Sequence, residues 1–331
     1  MSNFWDHRRV LVTGAGGFIA SHLVENLVCQ GAQVRAFVRY NSRADPGLLS
    51  LLSREVYEKI EIVAGDIRDK SAIQQAVTGC SHIFHLGALI AIPYSYKRPS
   101  EVVESNILGT LNVLLAAQSA GIDRLVHTST SEVYGTARYV PIDESHPLQG
   151  QSPYSASKIG ADKLAESFYC SFNIPVVTVR PFNTYGPRQS MRAVIPTIIA
   201  QALTGNVVRL GNLNTRRDLT FVSDTVAGFL KAGEAPGVEG STFNLGTGSE
   251  AQIEELAREI ISLIGKPIEI VVDETRLRPE KSEVLRLLSD NRLAKEVLGW
   301  EPTIPLRKGL AQTISWMMEH PDLFQPDVYQ L

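Results

Sequence analysis

Three cysteines in 331 residues are too few and too scattered to staple a fold. Cys29, Cys80 and Cys170 form no C-x-x-C pair and are odd in number. They read as buried free thiols of a reducing compartment, which excludes a disulfide framework and a zinc site. Metal spacing is missing as well: the seven histidines show no H-E-x-x-H or related pattern, so no metal is expected. Long apolar runs are absent. The longest, Ile83 to Ile92, contains His85 and is too short to span a bilayer. The opening stretch, Met1 to His7, has no apolar signal core. An excess of one charge is lacking too. The net charge is −3 with Lys and Arg dispersed, which leaves no basic stripe for a nucleic acid. The expectation is a cytoplasmic protein with neither membrane nor nucleic-acid partner.

What is present is 44% hydrophobic content in a regular alternation. Val10 to Val12, Val34 to Val38, Ile60 to Val63, Ser81 to His85, Leu125 to Thr128 and Val176 to Arg180 read as strands. Helical patterns lie between them at Ile19–Val28, Ser71–Val77 and Glu101–Gln118, and another helix starts at Ser152-Pro153, an N-cap followed by Pro at the first helical position. Such alternation predicts an α/β fold, a Rossmann-type doubly wound parallel sheet. Beyond about Pro181 the elements become shorter and mixed, with turns such as Gly246-Thr247-Gly248. This predicts a dinucleotide-binding domain over 1–180 and a smaller substrate-binding lobe over 181–331, with the chain crossing between them more than once.

Directly after the first strand comes Thr13-Gly14-Ala15-Gly16-Gly17-Phe18-Ile19-Ala20, opening a helix. Gly14 permits the tight turn, Gly17 lets the backbone approach a pyrophosphate, and Ala20 allows close helix–sheet packing. The helix N-terminus, with the Gly16, Phe18 and Ile19 stretch around it, then offers N–H groups and a positive dipole end to phosphates. Glycine turns alone are weak evidence, but strand before and helix after favour a dinucleotide. At the end of the second strand an acid would select NAD and an Arg NADP. Here stands Arg39, with no acid before Asp45, which tilts the reading toward NADP over NAD; a solvated surface Arg is the competing one. Asp66 and Ile67, after the third strand, are placed to contact an adenine ring, or else to act as an N-cap and a core residue.

Tyr154 and Lys158 stand at i and i+4 on one helix face. Oxidising a secondary alcohol also removes its hydroxyl proton. A tyrosine can take that proton if its pKa falls from about 10 toward about 7, roughly 4 kcal/mol of preferential phenolate stabilisation. A neighbouring Lys⁺ and a positive nicotinamide are the natural sources.

Ordered motifs then carry a resemblance over essentially the whole chain: TGAGGFIA at Thr13, GDIRD at Gly65, HLGAL at His85, NILGT at Asn106, STSEVYG at Ser129, YSASK at Tyr154 and RPFNTYGPRQ at Arg180. RRDLTFVSD at Arg216, NLGTG at Asn244 and LGWEP at Leu298 continue it. The chain resembles the extended short-chain dehydrogenases that act on nucleotide sugars, with Ala20 standing where that family often has Gly. The resemblance implies cofactor contacts at Leu86, Gly87, Ala88 and Pro181 in addition to the turn, Tyr154 and Lys158. It implies substrate contacts at Thr130, Asn183, Arg188, Arg217 and Arg278, where guanidinium groups suit phosphate. Thr130-Ser131-Glu132 bears on the reaction. Epimerases of the family usually carry a small residue at the Glu132 position, whereas dehydratases carry a Glu base there. The commonest dehydratases have Asp where this chain has Ser131, and the Thr-Ser-Glu version is similar to GDP-mannose dehydratases and UDP-glucuronate decarboxylases. Long segments, including FVRYNSR and HTSTSEVYGTARYVPIDESHPLQGQSPYSASKIGAD, are similar to 4,6-dehydratases of legionaminic acid pathways, which act on nucleotide-linked N-acetylglucosamine.

The resemblance thus implies a 4,6-dehydratase of UDP- or GDP-N-acetylglucosamine. A UDP-glucuronate decarboxylase, a 4-epimerase and a non-catalytic cofactor-binding scaffold are the alternatives. The helices around Ser100–Ser119 and Tyr154–Phe172 carry apolar residues on more than one face. In this family the equivalent pair forms a four-helix dimer interface, so a homodimer is expected.

Overall fold

A computed structural model describes residues 3–324. Met1 and Ser2 of the opening stretch and the last seven residues of the expected second lobe lie outside the described residues. The strands are, in chain order, β1 (Arg9–Thr13), β2 (Gln33–Arg39), β3 (Glu61–Gly65), β4 (His82–His85), β5 (Arg124–Thr128), β6 (Val176–Pro181), β7 (Asn183–Tyr185), β8 (Val207–Leu210), β9 (Arg216–Phe221), β10 (Thr242–Leu245), β11 (Glu250–Gln252), β12 (Glu269–Val272) and β13 (Arg286–Leu287). Seven of them form one parallel sheet in the order β10-β6-β5-β4-β1-β2-β3. The sequence order reverses between β1 and β4, which opens a crevice above their carboxyl ends.

Side chains alternate across this sheet, and both faces are covered. On β1, Val10 and Val12 enter a core shared with the helix Phe18–Cys29, while Leu11 enters the opposite core. That opposite core holds Ile73, Val113, Leu114 and Phe168 from the helices Lys70–Val77, Gly109–Ala120 and Pro153–Phe172. Burial on both faces explains why these strands read as short continuous apolar runs.

The chain returns to this sheet after position 181, since β10 pairs β6 in register Thr242↔Thr178. The remaining strands build two small sheets, β11-β9-β13 with β7 on β9, and β12-β8. Two buried aspartates hold this lobe together. Asp218 accepts hydrogen bonds from Thr247 N (2.7 Å), Gly248 N (2.9 Å) and Ser289 N (3.1 Å). Asp224 accepts from Thr303 N (3.0 Å) and Ile304 N (2.9 Å), just after Trp300. Of the cysteines only Cys80 is buried; Cys29 and Cys170 lie on outward faces of their helices and are exposed, which corrects the buried-thiol expectation for both. Among the described residues no helix is long and apolar enough to cross a membrane.

Candidate active site

The turn after β1 and the loop after β4 meet above the sheet. Gly14 has φ +67°, and a Cβ there would sit 2.8 Å from the Gly87 backbone, so only glycine fits both demands. Thr13 Oγ1 accepts from Gly87 N (3.1 Å) and bonds His85 Nδ1 (2.7 Å), tying the two loops together. Leu86 and Ala88 flank Gly87. Gly17 caps the helix Phe18–Cys29 without any side-chain hydrogen bond, and no acid occupies its first turn. The first-turn N–H groups around Phe18 and Ile19 are thus left for an anion. Gly16 lies under the segment after β2: Leu48 N donates to its carbonyl (3.0 Å), and a Cβ on it would strike Pro46 O. These residues fit the pyrophosphate of a dinucleotide.

Farther along the crevice Asp66 is held below the usual carboxylate range by its hydrogen-bonded Arg68, 2.6 Å away. It is not an N-cap. The helix Lys70–Val77 is capped by Asp69, which accepts from Ser71 N (2.8 Å) and Ala72 N (3.1 Å). Ile67 seats against Gly87 and Gly109, where added Cβ atoms would crowd it. Arg39 is exposed and lies 3.7 Å from Glu101.

The helix Pro153–Phe172 starts on a reciprocal Ser152–Ser155 capping box with Pro153 in its first turn. Its inward face carries Tyr154 and Lys158, both buried. Lys158 Nζ donates to Thr128 O at the end of β5 (2.5 Å). Burial pushes the Tyr154 phenol well above its ordinary pKa, opposed by a hydrogen bond with Thr130 and reinforced by Glu132. Burial also lowers Lys158 to about 8, with Asp162 acting the other way. Thr130 caps the turn Ser131–Tyr134 and accepts from Glu132 N (3.2 Å). Glu132 is half-buried, and its charge acts on Tyr154 and on Arg217. Four sequence candidates thus converge here, joined by one arginine of the second lobe.

Buried Arg217, on β9, and Arg278 are bridged by Glu283, whose Oε1 lies 3.6 Å from one and 3.8 Å from the other. Asn183, on β7, has a buried Oδ1 without a hydrogen-bond partner, and Arg278 Nη1, though ion-paired with Glu283, makes no hydrogen bond. Unpaired buried polar atoms of this kind suit a ligand. Pro181 closes β6 and is buried, two residues before Asn183. Arg188 also has a buried nitrogen, Nη1, without a hydrogen-bond partner. It pairs with Glu25 on the first helix (2.7 Å), next to His22, which burial and Arg188 hold near pKa 4.

Several functional neighbours went unread. Asp162 stands one turn beyond Lys158, and the i, i+4, i+8 stripe Tyr154–Lys158–Asp162 was a usable signal. Asn106 accepts from Leu89 N (2.8 Å) and donates to Ser157 Oγ (2.9 Å), locking the loop after β4 to the Tyr154 helix. Glu283 had no local signature. Nothing in its neighbourhood in the sequence points across to β9.

A dinucleotide cradle facing a buried Tyr–Lys pair places the protein in the short-chain dehydrogenase class. Residues 11–313 match the family model described as GDP-mannose 4,6 dehydratase. A UDP-glucose 4-epimerase of Mycolicibacterium smegmatis is 35% identical, over 93% of this chain and 98% of that one. UDP-glucuronic acid decarboxylase 6 of Arabidopsis thaliana is 34% identical, over 93% and 88%. The crystal structure of DesIV, a dTDP-glucose 4,6-dehydratase of Streptomyces venezuelae with NAD bound, superposes with a TM-score of 0.85 at 30% identity, over 96% of this chain and 99% of that one. The chain belongs to the GDP-mannose 4,6-dehydratase family of NAD-dependent nucleotide-sugar epimerases and dehydratases.

Proposed function

We propose that the protein is a nucleotide-sugar 4,6-dehydratase acting on UDP- or GDP-N-acetylglucosamine. The observation that carries this reading is a half-buried carboxylate, Glu132, whose charge acts on both Tyr154 and Arg217. Tyr154, backed by Lys158 and touched by Thr130, takes the proton of the sugar 4-hydroxyl. NAD, when bound in the cradle of Gly14, Gly16, Gly17, Gly87 and their neighbours, supplies the store for the hydride that leaves carbon 4 and returns at carbon 6. With carbon 4 a ketone, the carbon 5 proton is acidic, and Glu132 removes it. Ser131 is 2% exposed and has no carboxyl, so Glu132 also hands the proton to the departing 6-hydroxyl.

Arg217, Arg278 and Asn183 are the diphosphate contacts in this reading, and Arg188 borders the cofactor side. Arg39 is the argument for NADP. Glu101 beside it and the nearby Asp66 oppose a 2′-phosphate, so we take NAD. The N-acetylglucosamine preference, and a place in legionaminic acid formation, rest on the similarity of the segments around Glu132 and Tyr154. The exposed apolar residues Val103, Leu108 and Phe172, on the two helices of the expected interface, support a homodimer.

One observation favours a second reading. Arg217 beside Glu132 could hold a sugar carboxylate, as a UDP-glucuronate decarboxylase requires. Mass spectrometry of a nucleotide-sugar panel in heavy water separates the two. Loss of water with deuterium at carbon 5 is expected from an N-acetylglucosamine nucleotide. Loss of carbon dioxide from the glucuronate would replace the proposal, and an isomer of unchanged mass would mean epimerisation. Glu132→Gln should slow dehydration about 100-fold or more; full activity would remove its role.

A further inference from the structure

Behind Tyr154 and Lys158 lies a buried polar cluster that the reaction as described does not use. Asp162 is 4% exposed and sits one helical turn after Lys158. Its Oδ2 accepts from Ser129 Oγ (2.7 Å) and from Arg180 Nη2 and Nε (3.1 and 3.3 Å), and its Oδ1 accepts from His127 Nε2 (3.1 Å). Arg180 also donates to Tyr134 OH (2.9 Å), which donates in turn to Asn244 Oδ1 (2.7 Å). All of these residues are buried. A carboxylate fixed by four hydrogen bonds cannot turn away from its neighbours, and a buried charge is retained only with such support.

We propose that Asp162 is a positioning residue of the redox site: clamped by Ser129, His127 and Arg180, it is the counter-charge that keeps Lys158 an ammonium beside Tyr154. The need follows from the surroundings. From β4, His85 faces Lys158, and from β5 come His127 and the Thr128 carbonyl, neither histidine carrying negative charge. Arg180 on β6 adds a positive charge, and Glu132 acts on Tyr154 from the next turn. Asp162 is the acid whose charge opposes the effect of burial on Lys158. Arg180 and Asp162 also border a groove of about 670 Å³, with Lys163, Glu166 and Thr178.

The inference rests on Tyr154 and Lys158 being the redox pair, and its test includes a measurement that needs no substrate. Carbon NMR of isotopically labelled lysine, with Lys158 assigned by its loss in Lys158→Arg, reads the ammonium titration directly. In Asp162→Asn the midpoint should drop by about one pH unit, and the alkaline limb of turnover on UDP-N-acetylglucosamine should move with it. A merely structural role would lower melting temperature or overall rate and leave both midpoints in place. Should Asp162→Asn fail to fold, Ser129→Ala decides: it removes the shortest bond to the carboxylate without touching a charge, and a smaller shift in the same direction is expected. An unmoved Lys158 midpoint in the folded variant overturns the proposal. Full turnover by Tyr154→Phe would instead overturn the redox assignment beneath it.

Discussion

Burial works against the very residues that the proposed chemistry needs. It raises the Tyr154 phenol, which must give up its proton readily, and lowers the Lys158 ammonium to about 8, which must stay charged. The compensation comes from named neighbours, Thr130 on the phenol and Asp162 on the ammonium, and from the positive cofactor when bound. Tyr154, Lys158 and Glu132 were legible because their spacing and motif context survive without a structure. The same burial sets the acid response of the whole protein. Burial holds His22 and His82 near 4, against about 6.5 in an unfolded chain, and lowers His85 and His127 as well. Below about pH 6.5 the unfolded chain therefore binds protons that the folded chain refuses. Stability is full above that value and falls as pH drops toward 4. Asp218 and Glu144, raised by burial, act in the opposite sense, while Asp66, Asp162 and Asp290, held low in the folded chain, add to the loss at lower pH still. Calorimetry should show a melting temperature several degrees lower at about pH 5 than at about pH 7. A flat profile would mean that these rings take up protons in the folded state.

Elements came through within a residue or two wherever a strand was buried on both faces or a cap was chemically explicit, as at Ser152-Pro153. The stretch Glu101–Gln118, expected as a helix, lies in one continuous helical run made of Pro99–Val103, a wide π-helical turn Glu104–Leu108, and Gly109–Ala120. Periodicity cannot show that turn, because its cause is tertiary. The turn carries Asn106, whose amide bonds Leu89 and Ser157, and such turns recur at functional sites. The competing reading of Asp66 as a cap falls for a related reason: Asp69, three residues on, takes that role, and only the fold shows that Asp66 is paired with Arg68. The β1 turn gives the sharpest prediction at this scale. Gly14→Ala puts a methyl where the Gly87 backbone lies 2.8 Å away, at a φ of +67° that alanine resists. Calorimetric titration should show NAD binding weakened at least about tenfold, roughly 1.4 kcal/mol. Unchanged affinity would mean that the two loops part easily and are not the cradle.

At the scale of the molecule, helices already packed against the sheet still expose Val103, Leu108 and Phe172. Exposed apolar side chains on these two helices are what a second copy would cover. Analytical ultracentrifugation should therefore give twice the 36.3 kDa chain mass, and Leu108→Glu should shift the protein toward monomer. A wild-type monomer would dismiss the interface. The alternation of buried strands and capped helices determined the parallel sheet, because each element's pattern is local. Glycine turn, Tyr–Lys pair and Glu132 were likewise determined by sequence, since each lies within a few residues of its own context. Only the tertiary structure decided that Arg217 from β9 comes within reach of the Glu132 charge, that Glu283 bridges Arg217 to Arg278, and that Arg188 pairs with Glu25. Only it showed Asp162 seated among Ser129, His127 and Arg180. The reason is physical: a side chain's charge partner is set by which strands lie side by side, and the fold joins β10 to β6 and β9 to β7, β11 and β13 across distances in sequence that no local pattern records.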